Sequence, residues 1–110
     1  MALIFSCGSA GAQQYSSSSR RAVKKFDQAR EFYHYGENDR AEEALLKAVR
    51  ADGDFVEAYQ MLAQICYDQD RIKEAVDYFS KSLRIDPEGN PDGYRLLAGL
   101  TFLNGEYDRT

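Results

Sequence analysis

The residues that could do chemistry are few in this chain and do not form groups. His34 is the one histidine. A zinc or acid–base role would need further His, Cys or carboxylate groups converging on it, and neither Cys-x-x-Cys nor His-Glu-x-x-His spacing occurs. His34 therefore reads as a surface or groove histidine. Cys7 stands near the N-terminus and Cys66 inside an apolar helical pattern, so Cys66 is expected to be a small core residue without a disulfide to Cys7. Pairs such as Glu42 and Glu43 are read as solvated helix carboxylates. There is no glycine-rich phosphate loop and no Gly-x-Ser-x-Gly elbow. The chemistry-bearing residues thus predict no enzyme, no metal site and no cofactor.

What the chain does carry is periodicity. From Val56 to Gly89 two helical runs are broken once near Asp70 and stopped by Pro87 and Gly89. Tyr59, Leu62, Ala63 and Cys66 recur at the three-and-four spacing of one helix face, and Ile72, Ala75, Phe79, Leu83 and, less regularly, Ile85 do the same. Two amphipathic helices with almost no loop between them must fold back on each other as a hairpin. Shifting the sequence by 34 positions places Ala29 on Ala63, Tyr33 on Tyr67, Ala41 on Ala75, Lys47 on Lys81, Arg50 on Arg84 and Asp52 on Asp86. A fixed period of that length predicts an all-α solenoid of helical hairpins.

Val56 to Gly89 resembles a tetratricopeptide repeat: Tyr59, Leu62, Ala63, Cys66, Ala75, Phe79, Leu83 and Pro87 fall at the signature positions. It departs from that pattern at Cys66, where a larger aromatic is usual, and at Ser82, where alanine is usual. About two full repeats and a truncated third are expected, at 22–55, 56–89 and 91–110, within a domain covering 20–110. In the first repeat Ala41, Ala44, Leu45, Ala48 and Val49 form the stripe of the second helix, with Asn38 as its N-cap after Gly36. The first helix has Lys25 and Gln28 where Tyr59 and Leu62 stand one repeat later, as befits a terminal repeat with an uncovered side; a rotated or longer helix starting near Ser19 is the alternative. Asp54 with Glu57 is expected to make a reciprocal cap at the next helix. Asn90 is a candidate cap and Pro91 a first-turn residue for the third repeat, where Tyr94, Leu97 and Ala98 match Tyr59, Leu62 and Ala63 with one extra loop residue. The sequence stops at the first turn of that repeat's second helix, leaving Leu96, Leu97, Leu100 or Leu103 without a cover. That predicts either a fragment of a longer protein or self-association through this end.

Composition and charge bound the partners. Of 110 residues 44% are hydrophobic, enough for one modest core. Fourteen Lys and Arg against eighteen Asp and Glu give a net charge of −4, which argues against nucleic acid and against an anionic membrane surface as the docking partner. Residues 1–12 pass from a short apolar run to small residues, with Ala10-Gly11-Ala12 resembling a signal-peptide exit. Export, a lipoprotein signal using Cys7 and a disordered tail are the three readings. Gln13 to Ser19, with four consecutive serines, is read as a linker that buries too little surface to offset its ordering entropy.

The resemblance implies a concave groove lined by the first helix of each repeat and no direct membrane insertion. Carried onto this chain, its lining is Phe26, Arg30, Tyr33 and His34, then Gln60, Gln64, Tyr67 and Asp68, then Arg95, Gly99, Phe102 and Leu103. Tyr33, Tyr67 and Phe102 would stack as an aromatic ladder for a protein or peptide partner, unless the tyrosines simply pack on the second helices. Relatives that clamp an acidic peptide use groove lysines and asparagines; Phe26, Arg30, Gln60 and Gln64 stand there instead, so that subclass is set aside. The expected function is a non-catalytic interaction scaffold. Its order of segments is similar to the start of bacterial outer-membrane proteins that end in an OmpA-like domain, placing it in the periplasm or outer membrane. A cytosolic adaptor, or a regulatory region of an enzyme lying beyond Thr110, is the alternative.

Overall fold

A computed structural model of the protein describes residues 15–87, 95, 97–102 and 105. The expectations for 1–12, for Asn90, Pro91 and Tyr94, and for Leu96 and Leu103 lie outside the described residues. Among the described residues four helices follow in order: α1 Arg20–His34, α2 Asn38–Ala51, α3 Val56–Asp68 and α4 Ile72–Ile85. Residues 95, 97–102 and 105 are helical as well. α1 packs on α2, α3 on α4, and α2 joins the two hairpins by packing on α3.

The break inside each hairpin is built the same way. α1 ends with Gly36 at φ 78°, and α3 ends with Asp70 at φ 62°, 34 positions later. In the first turn the Gly36 N–H donates to Tyr33 O at 3.1 Å and the Glu37 N–H to Phe32 O at 2.8 Å. In the second, Asp70 donates to Tyr67 O at 3.0 Å and Arg71 to Cys66 O at 2.8 Å. Each turn thus satisfies two carbonyls at a helix end through one left-handed residue, the Schellman arrangement. Glycine accepts that conformation freely, and aspartate is among the few side chains that tolerate it. The helix that follows starts at Asn38, one residue earlier than the expected cap requires; Glu37 is the cap residue and gives no side-chain bond.

Burial follows the two faces each helix must cover. α1 buries Ala22, Phe26 and Ala29 on one side, and α2 buries Ala41, Ala44, Leu45 and Ala48. α3, which lies between α2 and α4, also buries Ala58 and Ile65 besides Tyr59, Leu62, Ala63 and Cys66. Ser82, at the alanine position, is 1% exposed and donates its hydroxyl to Phe79 O at 2.8 Å, so its polarity is satisfied without a partner outside its own helix. Cys66 is fully buried, and burial pushes its thiol up to about 11. Leu97 and Leu100 pack partly buried against Ala63, Phe79 and Leu83, so these two leucines, expected to lack a cover, find one on the second hairpin.

Of the stretch expected to be a linker, the described residues 15–19 are held against the helices. Tyr15 packs against the core, Ser17 is 8% exposed, and Ser19 caps α1 by accepting the Ala22 N–H at 3.2 Å. Ser16 and Ser19 are held by hydrogen bonds to helix N-termini rather than by buried apolar area, which composition does not register. α3 shows why. Its cap residue is Phe55, whose fully buried ring cannot accept a hydrogen bond. The Asp54–Glu57 reciprocal cap does not form, since Asp54 lies outside the helix and donates its N–H to Asp52 Oδ1 at 3.0 Å. Ser16 Oγ accepts the Val56 N–H at 3.1 Å instead, reaching across 40 residues.

A polar clamp ties the hairpins together. Arg71, at the start of α4, sends Nη1 and Nη2 to the two carboxylate oxygens of Glu42 in α2 at 2.9 and 2.8 Å. The same guanidinium reaches Glu74 through Nε and Nη2 at 2.7 and 2.8 Å, and Gln69 at 2.8 Å.

Candidate functional site

A cavity of about 400 Å³ opens between α3, α4 and the helical residues of the third repeat. Ala63, Phe79, Gly99 and Leu100 give it an apolar floor, and Gln60, Gln64, Tyr67 and Arg95 form its polar rim. The i, i+3/i+4 spacing of Gln60, Ala63, Gln64 and Tyr67 explains their convergence on one face of α3. Tyr67 is 45% exposed with its ring at the rim. Arg95 is exposed and makes no ion pair among the described residues.

Beside the cavity, Asp68 receives two hydrogen bonds. Tyr33 of α1 donates its hydroxyl to Oδ2 at 2.8 Å, and Gln64 donates Nε2 to Oδ1 at 2.8 Å. The bond to Asp68 holds the Tyr33 phenol above its ordinary pKa, because a carboxylate that accepts the proton's hydrogen bond opposes its loss. The Tyr33–Asp68–Gln64 chain fixes the Gln64 amide so that its oxygen stays available to an incoming donor.

Of the residues expected to line the groove, the structure brings Gln60, Gln64, Tyr67 and Arg95 to this cavity and places Tyr33 next to it. Phe26 and Arg30 are elsewhere. Phe26 is 4% exposed, covered by the Tyr15 ring at 4.9 Å and by Phe55 at 5.0 Å; it belongs to the core. Arg30 donates to the Tyr15 hydroxyl. Phe102 is 67% exposed and does not line the cavity, and no ring contact joins Tyr33, Tyr67 and Phe102 among the described residues. Of the floor residues, the sequence marks Phe79 as a packing position and Leu100 as a leucine without a cover. Nothing in their spacing marks the part of each side chain left open between two hairpins.

His34 is exposed, with its ring edge-on to Tyr35 at a centroid distance of 5.1 Å. Among the described residues no group of three or more His, Cys, Asp or Glu side chains could hold a metal, and no helix is long and apolar enough to cross a membrane.

A family model for the tetratricopeptide repeat matches residues 26–90, more than half of the chain. Among solved structures the chain is similar to the second tetratricopeptide domain of Spaghetti (RPAP3) bound to the HSP90 peptide SRMEEVD, with a TM-score of 0.62 at 17% identity over 81% of this chain and 88% of that one. That likeness is one of fold. A search of curated proteins gives no match.

Proposed function

The chain belongs to the tetratricopeptide repeat family, and on that premise we propose that it is a non-catalytic scaffold that takes a peptide or a partner helix across the groove of α3 and the third repeat. The observation that carries this reading is the open cavity with an apolar floor and a mixed rim. It suits one apolar side chain of a ligand in the cavity, with its main chain read by Gln60 and Gln64 and an acceptor facing Arg95. The solved relative holds an acidic peptide. With Arg95 as the one cation among the described lining residues, this groove favours a largely apolar segment with at most one carboxylate.

The test uses a substitution that plugs the cavity without stressing the fold. A Cβ added at Gly99 meets no atom within 4 Å. In Gly99→Leu the new side chain fills the space, and replacing a helical glycine stabilises the helix. Peptides selected by phage display on the full chain are expected to lose at least ten-fold affinity for Gly99→Leu and for Tyr67→Ala. Selected peptides that bind both variants as tightly as the wild type refute the reading.

The finer proposal places the scaffold in the bacterial envelope, supported by the small-residue N-terminal sequence. N-terminal analysis of the protein from its native source is expected to show a start at Gln13 or a lipidated Cys7. An intact Met1 refutes it.

A further inference from the structure

Tyr15 and Ser16 are held by side chains of α1, α3 and the residue before α3 in the way a receptor holds a peptide. The tyrosine ring sits edge-on to Phe26 at 4.9 Å and tilted to Phe55 at 6.1 Å. At the ring's far end its hydroxyl donates to Asp27 Oδ1 at 3.1 Å and accepts from Arg30 Nη1. The next residue is read by a different set of groups. Glu57 accepts the main-chain N–H of Ser16 at 3.1 Å and its hydroxyl at 2.7 Å, while the Ser16 oxygen accepts the Val56 N–H at 3.1 Å.

The contacts discriminate unequally. Phenylalanine would fill the aromatic slot and leave the half-exposed Asp27 and Arg30 to each other, 3.7 Å apart, and to water; alanine at the second position would leave the part-buried Val56 N–H open and Glu57 with the main-chain bond alone. The arrangement therefore suits a tyrosine followed by a small hydroxyl residue at a bend of the chain. None of its residues lines the cavity between α3 and the third repeat, so it stands whether or not that cavity binds a peptide.

We propose that Phe26, Asp27, Arg30, Phe55 and Glu57, with the first amide of α3, form a second peptide-recognition site, specific for a tyrosine–serine segment and filled in cis by residues 15 and 16. The short tether to α1 gives the internal segment an effective concentration of about a millimolar or more, so a peptide in trans is excluded from the wild-type chain at ordinary concentrations. Removing the internal pair opens the site to one.

The experiment uses the full chain and a labelled, blocked peptide with the sequence of residues 13–19, Gln-Gln-Tyr-Ser-Ser-Ser-Ser, against a control with alanines at the Tyr and first Ser positions. The Tyr15→Ala/Ser16→Ala variant is expected to bind the probe at least ten-fold more tightly than the wild type does. Adding Glu57→Ala should return the affinity to that of the control peptide. Equal affinity of the variant for probe and control, or of variant and wild type for the probe, overturns the proposal. The melting midpoint gives a second readout, since a ligand that binds only the folded state raises stability by mass action. The probe should raise the midpoint of the double variant and leave the wild type unmoved. Should the variant lose its helical circular dichroism, the probe should restore it. No restoration and no shift overturn the site.

Discussion

Replacing Arg71 with alanine tests what joins the two hairpins. Its guanidinium makes two bonds to Glu42, whose side chain is 18% exposed, and two to Glu74, whose side chain is 50% exposed. The Glu74 contact is a half-exposed i, i+3 pair, contributing ~0.5 kcal/mol after screening. The Glu42 contact is bidentate and largely out of water, and stripping its partner leaves a carboxylate short of hydrogen bonds at ~1–2 kcal/mol. Arg71→Ala should therefore cost about 2 kcal/mol, a fall of roughly 10 °C in melting midpoint for a domain of this size. The assay is chemical and thermal unfolding by circular dichroism in double-mutant cycles with Glu42→Ala and Glu74→Ala. The expected coupling is ~1.5 kcal/mol to Glu42 and ~0.5 kcal/mol to Glu74, and 1 M salt should erode the second far more than the first. Arg71 also holds the Glu74 carboxyl below its ordinary 4.5 through their hydrogen bonds. A depressed carboxyl pKa stabilises above the unfolded value, and the contribution is lost as pH falls through the folded one. The gap between wild type and Arg71→Ala should accordingly narrow as pH drops below 4.5. A total cost under ~0.5 kcal/mol, or a coupling to Glu74 as large as that to Glu42, refutes the clamp as the inter-repeat tie.

The remaining predictions concern the turns, the tight approach of α3 and α4, and the buried thiol. Gly36→Ala meets no atom within 4 Å but forces a methyl-bearing residue to φ 78°, so it should cost ~1–2 kcal/mol in urea unfolding; Asp70→Gly at the equivalent turn should not destabilise. Ala75 is fully buried on the α4 face toward α3, and Ala75→Leu should cost ~1–3 kcal/mol by overpacking, with an unchanged midpoint refuting that register. Cys66, with its thiol pushed up to about 11 by burial, should resist a thiol reagent at about pH 8 in the native chain and react fully in denaturant. Rapid native labelling refutes its burial.

The repeat architecture was legible because its signal is redundant. Ala29, Ala41, Leu45 and Val49 have apolar counterparts at Ala63, Ala75, Phe79 and Leu83, and the turn at Gly36 has its counterpart at Asp70. The face of α3 that lines the cavity was legible for the same reason, with Gln60, Gln64 and Tyr67 offset from the packing stripe. Contacts made once were not legible. The Glu42–Arg71 clamp has no copy one repeat away, where Glu37 stands at the equivalent of Arg71 and Val76 at that of Glu42. Tyr15 and Ser16 were hidden by the composition of their neighbours, although an isolated aromatic before a serine run and a helix opening on Phe55-Val56 with no local cap are a signal in retrospect. Phe26 was assigned to the groove because its repeat position faces there, and Tyr15 covers it.

The Ser16 bonds to Glu57 and Val56 span 41 and 40 residues of sequence, whereas each hairpin closes through neighbours. In kinetic language, they are the longest-range of the side-chain ties, beyond Tyr33–Asp68 at 35 residues and Glu42–Arg71 at 29, and they raise the contact order of the fold. The contacts within each hairpin are local, whereas this closure needs α1 and the start of α3 already in place, so it belongs after the nucleus and its loss acts on the unfolding rate more than on the folding rate. The amide of Val56 is thus a timer: its protection from hydrogen exchange should appear last on refolding and vanish first on partial opening, marking the moment when two adjacent hairpins become one cooperative unit.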